Sequence, residues 1–315
     1  MTIALHLLLI LLCFLSLAWS ADRFVLSAGK LALRLGMAPV LVGLVIIGFG
    51  TSAPEILVSA LASMNGNTGL AVGNALGSNV ANIALILACA GLITPLLVRE
   101  RDVRRELIAL AVATLLVPLL LLDGILGRLE GALLIGGLLG VLAWLIHASL
   151  NDPAAVPTEE LPETAGERLP PVLLWIAGSL LVLLASAQLL VWSAVELATL
   201  AGVSDLVIGL TIVALGTSLP ELATAISAAR RREYALVLGN ILGSNLFNLL
   251  AVLGTAALIH PAVLPAEVLY RDYAVMAALT LIVTLGIALR GRIGRPLALL
   301  LLATYPIYQV LVFTL

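Results

Sequence analysis

A carboxylate, a proline and two hydroxyls stand together in Gly50-Thr51-Ser52-Ala53-Pro54-Glu55, inside a long apolar run, and return as Gly216-Thr217-Ser218-Leu219-Pro220-Glu221. Nearly all of the 18 acidic residues fall in loops or at the ends of apolar runs; Glu55 and Glu221 fall near the middle. An ionised group at that depth is costly unless it is paired or coordinating. Arg23 is the nearest candidate cation, and one arginine cannot neutralise two symmetric sites. The simplest partner is a bound cation. Pro54 and Pro220 remove a donor from their helices and free carbonyls near Gly50 and Gly216. Non-helical backbone at membrane depth is tolerated where it lines a cavity or binds an ion.

A second block follows each first one. Asn74, Ser78 and Asn82 recur at i, i+4 and i+8, a polar stripe on one helix face, and are matched by Asn240, Ser244 and Asn248. Gly73 and Gly77, with Gly239 and Gly243, make an adjacent stripe of small residues that permits close helix approach. Asn74 and Asn240 suit a bracing hydrogen bond as well as a ligand role, and Asn79 and Asn245 suit bracing the turn. Carboxylates, hydroxyls, amides and carbonyls with no Cys or His describe a site for hard cations. Calcium takes such oxygens, whereas zinc or copper calls for imidazole or thiolate. Sodium accepts the same ligands, and buried carboxylates also accept protons.

The elements that must position these residues follow from the duplication. Thr51 and Thr217, Glu55 and Glu221, Asn82 and Asn248 are each 166 residues apart, with no gap from Gly43/Gly209 to Asn82/Asn248. The chain therefore reads as two homologous halves. With 62% hydrophobic and 11% charged residues among 315, it is a multi-span membrane protein. Its net charge of −2 and lack of a basic tract offer nothing to nucleic acid. Ten spans are expected, at about 3–33, 39–64, 68–94, 104–122, 127–148, 170–200, 205–229, 233–259, 267–288 and 295–313. The first apolar run lacks a basic leader, so it is read as a retained span. This places a first five-span repeat at 1–150 (motif 43–82), a Pro- and Glu-rich linker at 151–169, and a second repeat at 170–315 (motif 209–248). Cys13 and Cys89 lie in apolar runs as packing thiols, and His6, His147 and His260 lie outside both blocks.

Lys and Arg fall 13 on one side of these spans and 2 on the other, with Arg23 left inside the first. Because basic residues accumulate in cytoplasmic loops, both termini are expected outside and the linker inside. Corresponding loops carry opposite charge character, as Asn65-Gly66-Asn67-Thr68 against Arg230-Arg231-Arg232. The halves are thus expected to be inverted, an arrangement that places a shared site at the bilayer midplane.

The paired Gly-Thr-Ser-x-Pro-Glu blocks, each followed by Gly-Asn-x-x-Gly-Ser-Asn, resemble the two alpha-repeats of the sodium/calcium exchangers in the calcium/cation antiporter superfamily. The likeness covers essentially the whole chain as an all-α, ten-helix body of two inverted repeats with broken helices at the midplane. It implies antiport of calcium against sodium across a prokaryotic inner membrane, with no cofactor, no enzymatic activity and the bilayer as the only evident partner. By this resemblance Glu55 and Glu221 are the central ligands. Ser52, Ser218, Ser78, Ser244 and Asn82 add side-chain oxygens, Thr51 and Thr217 serve flanking sodium sites, and Gly48 and Ala214 lend carbonyls. Asn248 stands where some relatives carry aspartate, which argues against potassium co-transport. The segments Trp19-Ser20-Ala21 and Trp192-Ser193-Ala194 match the first and sixth spans, which slide in the family. Two other readings stay open: calcium/proton exchange on the same fold, and a passive cation channel.

Overall fold

The computed structural model describes residues 3–98, 100–151, 169–202 and 214–314. Among these, the regular structure is helical but for two pairs of two-residue strands. The chain runs α1 (Ile3–Leu35), α2 (Pro39–Thr51), α3 (Ala53–Met64), α4 (Thr68–Ile93), β1 (Leu96–Leu97), α5 (Glu100–Leu120), β2 (Ile125–Leu126) and α6 (Arg128–Leu150). It continues with α7 (Leu169–Leu200), α8 (Ala214–Thr217), α9 (Leu219–Arg230), α10 (Tyr234–Ile259), β3 (Ala262–Val263), α11 (Val268–Arg290), β4 (Arg292–Ile293) and α12 (Arg295–Thr314).

Seven of these helices are long and apolar enough to cross a membrane, and the bent pair α2–α3 makes an eighth. The expected fourth span coincides with α5, which opens on a charged stretch from Glu100 to Glu106. The expected seventh span begins in residues 203–213, and the expected linker 151–169 falls, but for its two end residues, in 152–168; both segments, 203–213 and 152–168, lie outside the described residues. Burial sorts the helices. The apolar window of α10 is wholly buried and that of α4 is 72% buried, against 33% or less for α1, α6, α7, α11 and α12. The outer helices turn rows of leucine outward, as Leu8, Leu11, Leu12 and Leu15 do on α1. In a bilayer such faces meet acyl chains instead of water.

The core forms where backbones approach closely. A Cβ added at Gly239 would stand 2.2 Å from Val40 O, and one at Gly243 would stand 2.7 Å from Leu44 O. Gly43 and Gly48 answer from the other side, with Leu236 O at 3.0 Å and Ser244 N at 3.1 Å. The small-residue stripe expected at Gly239 and Gly243 therefore seats α10 on α2. Gly73 and Gly77 meet no described atom within 4 Å.

The strands pair crosswise. β1 joins β4 antiparallel and β2 joins β3 antiparallel. The 166-residue offset that relates the two motifs also relates Leu96–Leu97 to Ala262–Val263, so equivalent strands sit in different pairs.

Candidate ion site

Each motif block breaks its helix at the serine. Ser52 (φ −82°, ψ 0°) separates α2 from α3 with a bend of 44°, and Ser218 (φ −89°, ψ 6°) separates α8 from α9. The following proline occupies the first turn of the new helix, where its missing N–H is no loss. The glutamate one residue on also lies in that first turn, where the helix macrodipole favours negative charge.

Both carboxylates are buried, Glu55 at 1% and Glu221 at 2% exposure, and they are near enough to repel one another. The halves interlock. Ser52 Oγ of the first block donates to Glu221 Oε1 at 3.4 Å, and Thr51 lies beside the same carboxylate. Thr217 of the second block lies beside Glu55. The Thr51 hydroxyl has Ile47 O at 3.0 Å and Asn240 Oδ1 at 3.2 Å as acceptors, which leaves its oxygen lone pairs for a ligand.

Behind each carboxylate stands an asparagine. Asn74 Nδ2 donates to Glu55 O (3.3 Å) and Ser59 Oγ (3.0 Å); Asn240 Nδ2 donates to Glu221 O (3.4 Å) and Thr224 Oγ1 (3.1 Å). Of the two roles left open for this pair, the geometry fits the brace. Asn79 and Asn245 do more than brace a turn. Asn79 Nδ2 donates to Asn245 O at 3.2 Å and Asn82 Nδ2 donates to Asn245 Oδ1 at 3.0 Å, so this polar layer ties α4 to α10. With its amide nitrogen engaged, Asn82 has its oxygen to spare.

Among the described residues, eleven buried side-chain nitrogen or oxygen atoms lack a hydrogen-bond partner. Six belong to the expected ligands: both oxygens of Glu55, Oε2 of Glu221, Oγ of Ser218, and Oδ1 of Asn82 and Asn248. Buried polar atoms are ordinarily satisfied. Six acceptors left over on residues from both motif pairs fit a bound cation, and the oxygen-only chemistry selects a hard one. Ser78 and Ser244 are buried on the same helices, but the Ser244 hydroxyl donates to Gly48 O at 3.4 Å. That carbonyl also receives Ser52 N at 3.0 Å, so Gly48 is engaged within the protein. The Arg23 guanidinium lies 5.8 Å from the centre of the Trp175 ring and is not among the groups that act on either glutamate.

One feature had no signal in residue types. The α-helix gives way to a π-helical turn at Gly43–Gly48, Asn82–Leu87 and Asn248–Val252, and again at Val268–Tyr273 in α11. Two of these start on a candidate ligand, in equivalent positions of the two halves. A π-turn widens the helix and re-aims the side chain at its start, and such turns gather at functional sites.

The family model for the sodium/calcium exchanger protein matches residues 5–147 and 171–314. The chain belongs to the sodium/calcium exchanger family. That is a family of transporters, not of enzymes. Among this exchanger's relatives, CaxA of Alkalimonas amylolytica, named as a presumed antiporter, is 44% identical over 95% of each chain. The inner membrane protein YrbG of Escherichia coli is 38% identical over 88% of this chain and 87% of its own. The solved structure of the sodium-calcium exchanger NCX_Mj, soaked with Na+ and Sr2+, superposes with a TM-score of 0.85 at 30% identity, covering 100% of both chains. The exchanger is thus an integral, multi-pass membrane protein of a family that carries sodium and calcium.

Proposed function

We propose that the chain is a secondary antiporter that exchanges calcium for sodium at one site centred on Glu55 and Glu221, and that it normally extrudes calcium. The observation that carries this reading is the set of six unpartnered acceptors contributed by both motif pairs. Two carboxylates match the charge of one divalent ion. Ser52, Ser218, Thr51, Thr217, Ser78, Ser244, Asn82 and Asn248 supply neutral oxygens, which serve sodium as well. Competition for shared ligands links the two fluxes, because an ion can leave only when another takes over the buried charge.

The crosswise strand pairing supports inversion of the two halves. α5 separates β1 from β2, so these strands lie at opposite ends of one crossing helix. β3 pairs with β2 and not with its equivalent β1. Equivalent elements then face opposite sides, as expected for ten spans in two inverted five-helix repeats, 1–150 and 170–315, with the site at the midplane. We place the arginine-rich ends and the 151–169 linker in the cytoplasm, both termini outside, and the protein in the cytoplasmic (inner) membrane.

Calcium-45 uptake into proteoliposomes tests the proposal. Uptake should require internal sodium and should not be replaced by potassium or a pH gradient. Uptake driven by a pH gradient alone would make the protein a calcium/proton exchanger. Flux indifferent to every counter-ion would make it a channel.

A further inference from the structure

α1 and α7 are joined along their length. His6 lies against Trp192, Ser186 Oγ donates to Ser16 Oγ at 2.8 Å, and Trp19 and Arg23 of α1 both lie against Trp175. The joined pair roofs both motif breaks. Phe24 of α1 and Leu180 of α7 stand 3.4 and 3.0 Å from where a Cβ of Gly50 would be, and Val191 of α7 stands over Gly216. Where this pair sits decides whether the breaks are covered.

A polar clasp holds the pair to α9. Arg231, one residue past the end of α9, forks onto Asp22 of α1, with Nε donating to Oδ1 at 2.6 Å and Nη2 to Oδ2 at 2.5 Å. Ser227 Oγ donates to the same Oδ1 at 3.2 Å. Beside the clasp a cavity of about 650 Å³ opens between the two helices, lined by Phe14, Ala18 and Trp19 of α1 and by Leu222 and Ile226 of α9. Packing is incomplete along this seam, and charge-assisted hydrogen bonds close its end. The clasp also ends a row: Glu221, Thr224, Ala228 and Arg231 recur at i, i+3, i+7 and i+10 on one face of the α9 spiral, and the first three are buried. The row runs from the ion-site carboxylate to the arginine-rich end of the helix.

We infer that the Asp22–Ser227–Arg231 clasp is the cytoplasmic gate of the ion site: its release lets α1 and α7 move off α9 and opens the row to the cytoplasm. The inference rests on the antiport reading and on the cytoplasmic placement of the arginine-rich ends.

Cysteine labelling tests the gate without any calcium flux. In full-length protein with Cys13→Ala and Cys89→Ala, Ala228→Cys reports on the row, and Ser63→Cys, near the end of α3, reports on the opposite side. Asp22→Asn or Arg231→Gln should raise the rate at which a membrane-impermeant maleimide reacts at position 228 from the cytoplasmic side. The expected rise is about fivefold, the factor that one part-exposed bidentate pair supports. The same variants should slow reaction at position 63 from the outer side, because two inverted halves sharing one site close one end as the other opens. Asp22→Glu keeps the carboxylate and should label like the parent, and Asp22→Arg with Arg231→Asp should restore slow labelling. Cross-linking Asp22→Cys to Ser227→Cys should stop sodium-driven calcium-45 uptake until the link is reduced. Unchanged labelling in both charge-removing variants, faster labelling at both ends, or uptake that continues through the cross-link would overturn the gate. Absence of sodium-driven uptake in the parent chain would instead refute the antiport reading, and the labelling would still decide the gate.

Discussion

Gly239→Ala should separate the helices that build the ion site. The added Cβ would sit 2.2 Å from Val40 O and 2.9 Å from both Gly43 Cα and Leu44 N. All three are backbone atoms and cannot rotate aside. An ordinary carbon–oxygen contact is about 3.4 Å, so α10 and α2 must part by about 1 Å near this level. Two hydrogen bonds cross the same interface, Thr51 to Asn240 at 3.2 Å and Ser244 to Gly48 at 3.4 Å. Stretching either by that amount takes it out of hydrogen-bonding range. Overpacking costs about 1–3 kcal/mol, and each lost buried bond adds about 1 kcal/mol. Sodium-driven calcium-45 uptake should fall to background, and the detergent-solubilised protein should melt several degrees lower. Gly140→Ala on α6, where a Cβ meets nothing within 4 Å, is the matched control. If Gly239→Ala transports and melts like Gly140→Ala, the close packing of α10 on α2 does not hold the site together.

Three further outcomes follow from the same geometry. Asn240→Ala removes one hydrogen bond each from Glu221 O, Thr224 Oγ1 and Thr51 Oγ1, all of which keep another partner; the loss of about 1 kcal/mol per bond should appear as a lower melting temperature and weaker calcium binding. Ser218→Ala removes one unpartnered acceptor without touching a carboxylate, so calcium affinity measured by titration calorimetry should drop about tenfold, with stability held near that of the parent. Asn248→Asp adds a third carboxylate beside two that one divalent ion already matches in charge. Protons then compete for the surplus charge, and calcium affinity should fall as pH drops from 8 to 6 more steeply than in the parent chain.

The candidate ligands were legible because their types contradict their surroundings: Glu55 and Glu221 are costly inside apolar runs, and a motif repeated at a fixed offset points to one purpose. The breaks at Ser52 and Ser218 followed from Pro54 and Pro220. Other features left no local mark. The π-helical turns at Asn82 and Asn248 occur in sequences with no breaker residue, so packing and not propensity places them. The bonds from Asn79 and Asn82 to Asn245 join residues far apart in the chain, and spacing along one helix cannot reveal a partner on another. Gly43 and Gly48 look like ordinary membrane-helix glycines until α10 is laid against them. Asp22 pairs with Arg231 Nη2 at 2.5 Å while both side chains stay partly exposed, another partner on a distant helix that spacing does not reveal. α5 shows the limit of composition: its charged first turns, including buried Glu106, keep it below the apolarity of a simple span.

The most direct measurement is calcium binding to the purified exchanger by titration calorimetry, for the parent chain, Glu55→Gln and Glu221→Gln, each with and without sodium. The account predicts one competed site in the parent and a loss of at least about thirtyfold in affinity in either variant, since removing one partner of a buried charge pair costs about 2–5 kcal/mol. Calcium bound with parent affinity by both variants, or binding that sodium does not weaken, would contradict a single shared site on Glu55 and Glu221.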